Sequence, residues 1–289
     1  METLNLLFIT WDPPTELFRV GEVAVRWYSI MWIIGLLLAY ATVRRLYKQQ
    51  GIADEKFDPL FVYCFIGILV GARLGHCLLY DPGYFLSHPI EMCLPIRKDA
   101  LGAWHYTGYS GLASHGGTLG LMLALWFYVR RYKISILRVL DNIAIATPLT
   151  AAFIRFGNLM NSEIVGKVTN WFGGFIFVQN GDVFPRYPAQ LMEGLYYLIL
   201  FPIMWIIYRR GWKGVGSGFF FGFVLTMIFV FRFFIEMIKE VQEPWELSMV
   251  EKIGLDQGQL LSIPFVLIGL YFLVIYPRRK STQSLNEKK

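Results

Sequence analysis

The feature that most constrains this chain is the grouping of its apolar residues, which form seven blocks along the 289 positions. Each block is about 18–22 residues long, the length that an α-helix needs to cross the ~30 Å hydrocarbon layer of a bilayer. Apolar residues make up 55% of the chain, which is more than is usual for a soluble domain. The sequence therefore predicts an all-α integral membrane protein with about seven transmembrane helices. The predicted spans lie near residues 26–44, 59–79, 113–130, 139–155, 189–208, 216–235 and 258–276.

The third and fourth spans are less regular than the others. Gly116, Gly117 and Gly120 crowd the start of the third span, and Pro148 interrupts the fourth. A membrane helix tolerates such interruptions where it faces protein instead of lipid. We therefore expect these two spans to pack against other helices.

Basic residues gather in four of the connections and so predict the direction in which the helices run. Connections rich in Lys and Arg stay on the cytoplasmic side of a membrane. Sixteen of the 27 basic residues lie in connections that seven spans place on one side: Arg44, Arg45, Lys48, Lys56, Arg130, Arg131, Lys133, Arg138, Arg209, Arg210, Lys213, Arg278, Arg279, Lys280, Lys288 and Lys289. We therefore expect the N-terminus outside and the C-terminus in the cytoplasm. The long connections 80–112, 156–188 and 236–257 then lie outside and form a head.

A single polytopic membrane domain is expected over residues 1–279, followed by a disordered basic cytoplasmic tail at 280–289. The first 24 residues lack the basic start and the apolar run of a cleavable signal peptide. We therefore expect the chain to keep its N-terminus and its first membrane helix to begin near Arg26.

The charge and the cysteines exclude several classes of protein. The net charge of +6 does not indicate nucleic-acid binding, because the basic residues lie between apolar blocks, where they orient helices against anionic lipid. Cys64, Cys77 and Cys93 have neither metal-ligand spacing nor the pattern of a disulfide framework. We therefore expect no metal, no cofactor and no nucleic-acid partner.

Polar side chains from six of the predicted spans meet at one depth, near the outer headgroups. They are Arg26, Tyr28, Arg73, His115, Arg155, Gln190, Glu193 and Arg232. A charge at mid-bilayer costs about 2.5–3.5 kcal/mol on insertion scales and less near the interface, so three arginines at a matching depth favour a site. The alternative is that each arginine snorkels to the headgroups or pairs internally, as Arg232 can with Glu236 at position i+4.

Arginine and histidine at headgroup depth suit phospholipid binding and proton removal. A guanidinium group presents planar donors that match phosphate oxygens in pairs, and it stays charged when it is partly desolvated. His115 can accept a proton near neutral pH, and the neighbouring Gly116 and Gly117 permit close backbone approach and leave open space. A lone histidine in an apolar protein is more often structural, and that alternative stays open.

The densest polar stretch runs from residue 155 to residue 166 and reads Arg-Phe-Gly-Asn-Leu-Met-Asn-Ser-Glu-Ile-Val-Gly. It places Arg155, Asn158, Asn161 and Glu163 directly after a membrane span. A polar helix cap followed by a turn is the simpler interpretation of such a stretch. A plain cap does not need so many polar side chains, so the stretch predicts a binding site.

These residues resemble the signature of the prolipoprotein diacylglyceryl transferases, Gly-Arg-x-x-Asn-Phe-x-Asn-x-Glu-x-x-Gly. Arg155, Asn158, Asn161, Glu163 and Gly166 match it in order. Other elements of the family are similar to residues 26–28, 71–75, 115–117, 188–193, 232–236 and 258–264. The resemblance covers nearly the whole chain, from about residue 20 to residue 276.

The chain departs from the family pattern at five positions. Ile154 replaces the first Gly of the signature, Leu159 replaces its Phe, and Thr118 replaces the Leu that usually follows His-Gly-Gly. We interpret these three as changes of packing. Tyr187 stands where His often precedes the Pro, and Lys239 stands where the family commonly has Arg. These two alter peripheral contacts, because Lys cannot reproduce a bidentate Arg.

The resemblance implies a multi-pass enzyme of the bacterial inner membrane that needs no cofactor. Such an enzyme transfers the diacylglyceryl group of phosphatidylglycerol to the lipobox cysteine of a prelipoprotein signal peptide, forming a thioether and releasing glycerol 1-phosphate. Its partners are therefore phosphatidylglycerol, prelipoprotein signal peptides and membrane lipid. The nucleophile is the thiol of the substrate, so no enzyme cysteine is needed.

The resemblance also implies roles for individual residues. His115 is implied as the general base, and Arg155 and Arg232 as anchors that stabilise the phosphate leaving group. The expected substrate-binding residues are Tyr28, Asn158, Asn161, Glu163, Glu193, Gly116 and Gly117. Whether His115 takes the thiol proton or orients a headgroup is open at this stage.

Two other functions fit parts of the pattern. A lipid flippase or anion transporter would line its path with buried arginines, but it would also show internal duplication and helices broken near mid-bilayer. No duplication stands out here, and the polar groups gather at one surface. Another phospholipid-using transferase, acting on a sugar or a protein amine, would share the anionic donor but not the thiol acceptor.

The charge distribution predicts that positions 131 and 210 face the cytoplasm and that position 98 faces outside. In a cysteine-free background, we expect Lys98→Cys to react with a membrane-impermeant thiol reagent in intact cells. Arg131→Cys and Arg210→Cys should react only after the cells are permeabilised, because basic connections stay inside. Labelling of position 210 in intact cells would contradict this orientation.

Overall fold

The computed structural model describes residues 8–21, 23–94, 96–99, 102–106, 111–241 and 250–276. Its main helices are α1 (Trp27–Gln49), α2 (Asp54–Leu79), α3 (Pro82–Ser87), α4 (Pro89–Cys93), α5 (Ser114–Tyr132), α6 (Ile136–Met160), α7 (Ala189–Arg209), α8 (Phe219–Glu236) and α9 (Gln257–Leu270). A π-helical turn, Tyr271–Ile275, extends α9. The short strands are β1 (Ile9–Trp11), β2 (Glu16–Val20), β3 (Val23–Arg26), β4 (Ile96–Lys98), β5 (Trp104–Tyr106) and β6 (Phe175–Phe177).

Six of these helices are long and apolar enough to cross a membrane, namely α1, α2, α6, α7, α8 and α9 with its extension. The prediction of an all-α integral membrane protein is therefore confirmed. Helix α5 occupies the predicted third span with 19 residues, but it is not among the six. Its glycines and the basic pair Arg130 and Arg131 in its last turn lower its hydropathy. The count of seven spans and their orientation stay predictions.

The chain divides into two compact units. One unit combines Met1–Leu46 with Leu137–Lys289, and the other is Tyr47–Ile136. We call them the main unit and the insert unit. Compact units are not by themselves independent domains, so the single domain over residues 1–279 stays a prediction. The expected disordered tail at 280–289 lies outside the described residues.

Glycines set the packing of α2 against α5 in the insert unit. A Cβ on Gly116 would lie 2.7 Å from the Cα of Gly75, and a Cβ on Gly71 would lie 2.7 Å from the Cα of Gly120. Real Cβ atoms do not come so close to backbone, so side chains at these positions would push the helices apart. The spacing of four residues on each helix is the small-residue pattern that lets membrane helices touch along their backbones.

Arg73 has a structural role near the end of α2. Its Nε donates to the Met92 carbonyl at 3.1 Å, and its Nη2 donates to the Glu91 carbonyl at 2.6 Å. Its Nη1 donates to the Gly111 carbonyl at 3.4 Å. The side chain of Glu91 accepts a hydrogen bond from the Tyr84 hydroxyl, which lowers the pKa of that carboxyl. Arg73 thus connects α4 and the segment before α5 to α2. For this arginine, the structure therefore agrees with the alternative that it pairs internally.

In the main unit, a buried carboxylate fixes the start of α8. The Oδ2 of Asp141 accepts hydrogen bonds from the backbone N–H of Gly216 (2.8 Å) and Gly218 (2.9 Å), and its Oδ1 accepts one from Phe221 (2.9 Å). The first N–H groups of a helix have no partner within the helix, and a negative charge there is favoured. Asp141 belongs to α6 and therefore couples the two helices.

Apolar packing surrounds this contact. The buried cluster consists of Leu46, Ala144, Ile145, Leu200, Met204, Phe220 and Val224, from helices α1, α6, α7 and α8. Strand β1 pairs in parallel with β6, and β2 pairs with β3 in an antiparallel hairpin that leads directly into α1. The hairpin explains why the first helix begins at Trp27, one residue after the predicted start.

Removal of the Asp141 carboxylate should destabilise the chain strongly. Asp141→Ala leaves three N–H groups at the start of α8 without an acceptor, so we expect the free energy of unfolding to fall by about 2–5 kcal/mol. Unfolding in detergent micelles measures this change. Asp58→Ala, at an exposed position of α2, is the control and should change stability by less than about 0.5 kcal/mol. Equal losses in both variants would contradict the capping role.

Candidate functional site

The last two turns of α6 carry the arginine around which the candidate site is built. The Nε of Arg155 lies 2.9 Å from the Oε2 of Glu193, which belongs to the first turns of α7. The Arg155 side chain is 14% exposed, and that of Glu193 is fully buried. A buried carboxylate is costly unless a cation partners it, so this ion pair fixes both side chains. The sequence prediction placed both residues at one depth, and the structure brings them into contact.

Three further side chains extend from Arg155 along the polar stretch. Its Nη1 donates to Asn158 Oδ1 at 3.2 Å, and Asn158 Nδ2 donates to Glu163 Oε2 at 3.1 Å. Asn161 Nδ2 donates to the other carboxylate oxygen of Glu163, Oε1, at 3.0 Å. The two asparagine amides thus hold the Glu163 carboxylate from both sides. The predicted set from 155 to 163 forms one hydrogen-bonded network.

The turn after α6 is strained where it positions this network. Ser162 has a φ of 53° and Ile164 has a φ of 58°, which is the left-handed region. A β-branched residue rarely adopts that conformation, and each such residue costs about 1–3 kcal/mol. The turn is held by a hydrogen bond from Glu163 N to the Asn158 carbonyl (2.9 Å) and by one from Asn180 Nδ2 to the Ser162 carbonyl (2.8 Å). Nothing in the sequence pattern predicted this strain.

Helix α1 brings Tyr28 to the same network. A Cβ on Gly157 would lie 2.9 Å from Tyr28 Cδ2 and 3.4 Å from the Tyr28 Cα, so the absence of a side chain lets α1 approach α6 there. Tyr28 lies close enough to Arg155 and Glu163 to interact electrostatically with both. The predicted grouping of Tyr28 with the polar stretch is therefore seen in the main unit.

Arg232 belongs to a second cluster at the end of α8. Its Nε lies 3.3 Å from Glu236 Oε1, and Lys239 Nζ lies 2.9 Å from the same oxygen. Tyr197 of α7 links the clusters, because it is hydrogen-bonded to Arg155 and interacts electrostatically with Glu193 and Arg232. The two predicted phosphate anchors therefore lie around a common tyrosine.

The predicted residues of the third span belong to the insert unit. His115 is exposed in the first turn of α5. That turn is tied to α2, because Ala113 N donates to the Ala72 carbonyl at 2.9 Å. Gly116 packs against the backbone of α2 as described above, and a Cβ on Gly117 would only touch Ala72 Cβ at 3.4 Å. The open space predicted beside His115 is thus filled by α2 at Gly116.

Sequence reasoning missed Tyr197 and gave too little weight to Gln190 and Lys239. Tyr197 gave no signal, because an aromatic residue in an apolar helix is unremarkable. Gln190 was noted only for its depth, yet its side chain is fully buried and neither amide atom has a hydrogen-bond partner among the described residues. Lys239 was interpreted as peripheral, but it is buried and directly contacts Glu236. Within the described ranges, no three His, Cys, Asp or Glu side chains are placed to hold a metal ion.

Comparisons with known proteins identify the family of the chain. The family model for prolipoprotein diacylglyceryl transferase matches residues 15–275. A phosphatidylglycerol–prolipoprotein diacylglyceryl transferase of Bacteroides fragilis is 52% identical over 278 residues, covering 96% of this chain and 99% of the relative. Proteins of the same name from Porphyromonas gingivalis and Tolumonas auensis are 41% and 40% identical, covering 96% and 94% of this chain and 98% of each relative. The chain therefore belongs to the prolipoprotein diacylglyceryl transferase family.

Proposed function

We propose that this chain transfers the diacylglyceryl group of phosphatidylglycerol to the cysteine thiol of a prelipoprotein. The observation that carries the proposal is the pair of arginines, Arg155 and Arg232, placed around Tyr197 at the ends of membrane helices. The names of the three relatives specify the same donor and the same class of acceptor. The chain is a multi-pass membrane protein, and we propose the bacterial inner membrane as its location.

The reaction is a displacement at the glyceryl carbon that carries the phosphate. The substrate sulfur forms a bond to this carbon while the carbon–oxygen bond to phosphate breaks. The products are a thioether-linked diacylglyceryl peptide and glycerol 1-phosphate, and the thiol proton passes to a base. Negative charge grows on the phosphate as the bond breaks, so donors aimed at these oxygens accelerate the step.

The geometry explains how Arg155 can serve as such a donor. A guanidinium group has five N–H donors. Contacts with Glu193, Asn158 and Tyr197 hold the guanidinium plane of Arg155 in one orientation. The N–H donors that these contacts do not occupy remain for a ligand. We propose that Asn158, Asn161, Glu163, Glu193 and Tyr28 position Arg155 and the donor headgroup.

His115 is proposed as the group that accepts the thiol proton. Its imidazole is exposed and therefore free to meet a substrate, and histidine is the side chain most often used for proton transfer near neutral pH. An exposed histidine at a helix start is equally suited to orienting a headgroup. The pH dependence predicted below separates these roles.

A transfer assay distinguishes this function from its rivals. Purified chain is incubated with phosphatidylglycerol labelled in its acyl chains and with a lipobox peptide, and the peptide is analysed for a thioether. We expect label on the cysteine peptide and none on a matched peptide with serine in place of cysteine. Movement of lipid without a thioether would favour a flippase, and labelling of an amine would favour another transferase.

Lysine should not support normal transfer activity at position 155 or at position 232. Lysine keeps the charge but loses the planar fork, and one charge-assisted hydrogen bond contributes about 1.5–3 kcal/mol. We therefore expect Arg155→Lys and Arg232→Lys each to slow transfer by roughly 10–150-fold at matched protein abundance. Arg19→Lys is the control, because Arg19 pairs only with Glu16 on the exposed β2–β3 hairpin among the described residues. Near-normal transfer by both site variants would contradict the phosphate-anchor roles.

His115→Asn should reduce turnover by roughly 10²–10⁴-fold if His115 is the general base. The deficit should shrink as the pH rises towards the thiol pKa of ~8.5, because the substrate then ionises without help. Turnover of the parent and the variant across the pH range measures this change. A deficit of the same size at every pH would assign His115 to headgroup binding or to structure.

A further inference from the structure

Lys239 is a buried lysine for which the transfer chemistry itself has no need. The residue is 5% exposed, and its Nζ lies 2.9 Å from Glu236 Oε1. The same oxygen lies 3.3 Å from the Nε of Arg232. Two cations therefore share one carboxylate, and the cluster keeps a net positive charge.

The other acids near this cluster have their own partners. A pocket of about 110 Å³ lies here, and its charged lining residues are Arg232, Glu236, Lys239, Glu240 and Asp256. Glu240 Oε2 accepts from Arg186 Nη1 at 2.7 Å, and Asp256 Oδ1 accepts from Gln259 N at 2.7 Å as the cap of α9. Glu236 is thus the carboxylate that Arg232 and Lys239 must share among the described residues.

Both partners of this ion pair are fixed in place. A Cβ on Gly258 would lie 2.6 Å from Glu236 Cδ, so the carboxylate rests against the first turn of α9, whose partial positive charge favours it. The backbone of Lys239 pairs with Gly166, the last residue of the polar stretch after α6, in an antiparallel bridge. Lys239 therefore sits where the segments after α6 and α8 meet.

We propose that Lys239 is a positioning residue that neutralises Glu236, so that Arg232 keeps its charge and its terminal nitrogens for the phosphate of the donor. This inference rests on the proposed function. In the described part of the chain, Glu236 Oε1 lies 3.3 Å from Arg232 Nε, and this Nε makes no hydrogen bond there. Without the lysine, a full negative charge faces the arginine, and a guanidinium prefers to pair with a carboxylate through its fork. That pairing withdraws the donors and cancels the charge that the phosphate needs.

The test compares three variants in the transfer assay with phosphatidylglycerol vesicles and a lipobox peptide. We expect Lys239→Met to reduce kcat/KM for phosphatidylglycerol by roughly 10–100-fold, the range for losing one charge-assisted contact. Lys239→Arg keeps the charge and should stay within about 3-fold of the parent. The double variant Glu236→Gln/Lys239→Met removes both charges and should recover most of the loss. Because removing both charges of a buried pair can also restore stability, all variants are compared at matched amounts of folded protein. A merely structural role would then leave kcat/KM of the folded fraction unchanged in Lys239→Met.

Lys167 provides a matched control in the same region. It is exposed, and its Nζ donates to the Met237 carbonyl at 2.8 Å instead of contacting Glu236. Lys167→Met should leave kcat/KM within about 2-fold. If the parent chain transfers lipid but Lys239→Met is as active as the parent, the inference is wrong and the proposed function stands. A double variant no better than Lys239→Met would also overturn it, whereas an inactive parent chain would overturn the proposed function.

Discussion

The ion pair between Arg155 and Glu193 is the interaction on which the rest of the site depends. It joins α6 to α7 where both side chains are largely removed from water. Breaking such a pair costs about 3–5 kcal/mol, because the remaining charge is left without compensation. The two side chains therefore stay paired only because the packing of the surrounding helices keeps them in contact. The pair also fixes the plane of the guanidinium. In the reaction that we propose, a donor held in this way needs no rearrangement.

Helix α6 contacts the other helices of the site at several points along its length. At one end Asp141 holds the start of α8, and at the other Gly157 admits α1 so that Tyr28 approaches Arg155. Beyond Asn158, the chain turns sharply and pairs at Gly166 with Lys239, which follows α8. One helix therefore contacts α1, α7 and α8. Tyr28 and Glu193 lie beside Arg155, and Tyr197 lies between Arg155 and Arg232.

The helices and most of the site in the main unit could be predicted from the sequence, and the reason is physical. Charged residues are costly in a membrane helix, so Arg155, Glu193 and Arg232 stood out against the apolar blocks. Helix ends were less predictable. The predicted span ends at Arg155, five residues before α6 does, because the helix continues into polar sequence through Asn158 to Met160. The strained φ values of Ser162 and Ile164 depend on the tertiary contacts of that turn and could not be inferred from residue types. Lys239 was misjudged because a lysine at a helix end ordinarily reaches solvent, whereas here a carboxylate and a backbone bridge bury it.

We propose that Arg155, held by Glu193, binds the phosphate of the lipid donor. Solid-state nuclear magnetic resonance can measure this contact directly, through the dipolar coupling between lipid phosphorus and the guanidinium nitrogens of ¹⁵N-arginine-labelled protein in phosphatidylglycerol bilayers. The Arg155 signals are identified by their loss in Arg155→Lys. We predict that phosphorus dephases these signals at hydrogen-bonding distance. Dephasing confined to arginines of the basic connections, with none at Arg155, would show that Arg155 does not bind the phosphate.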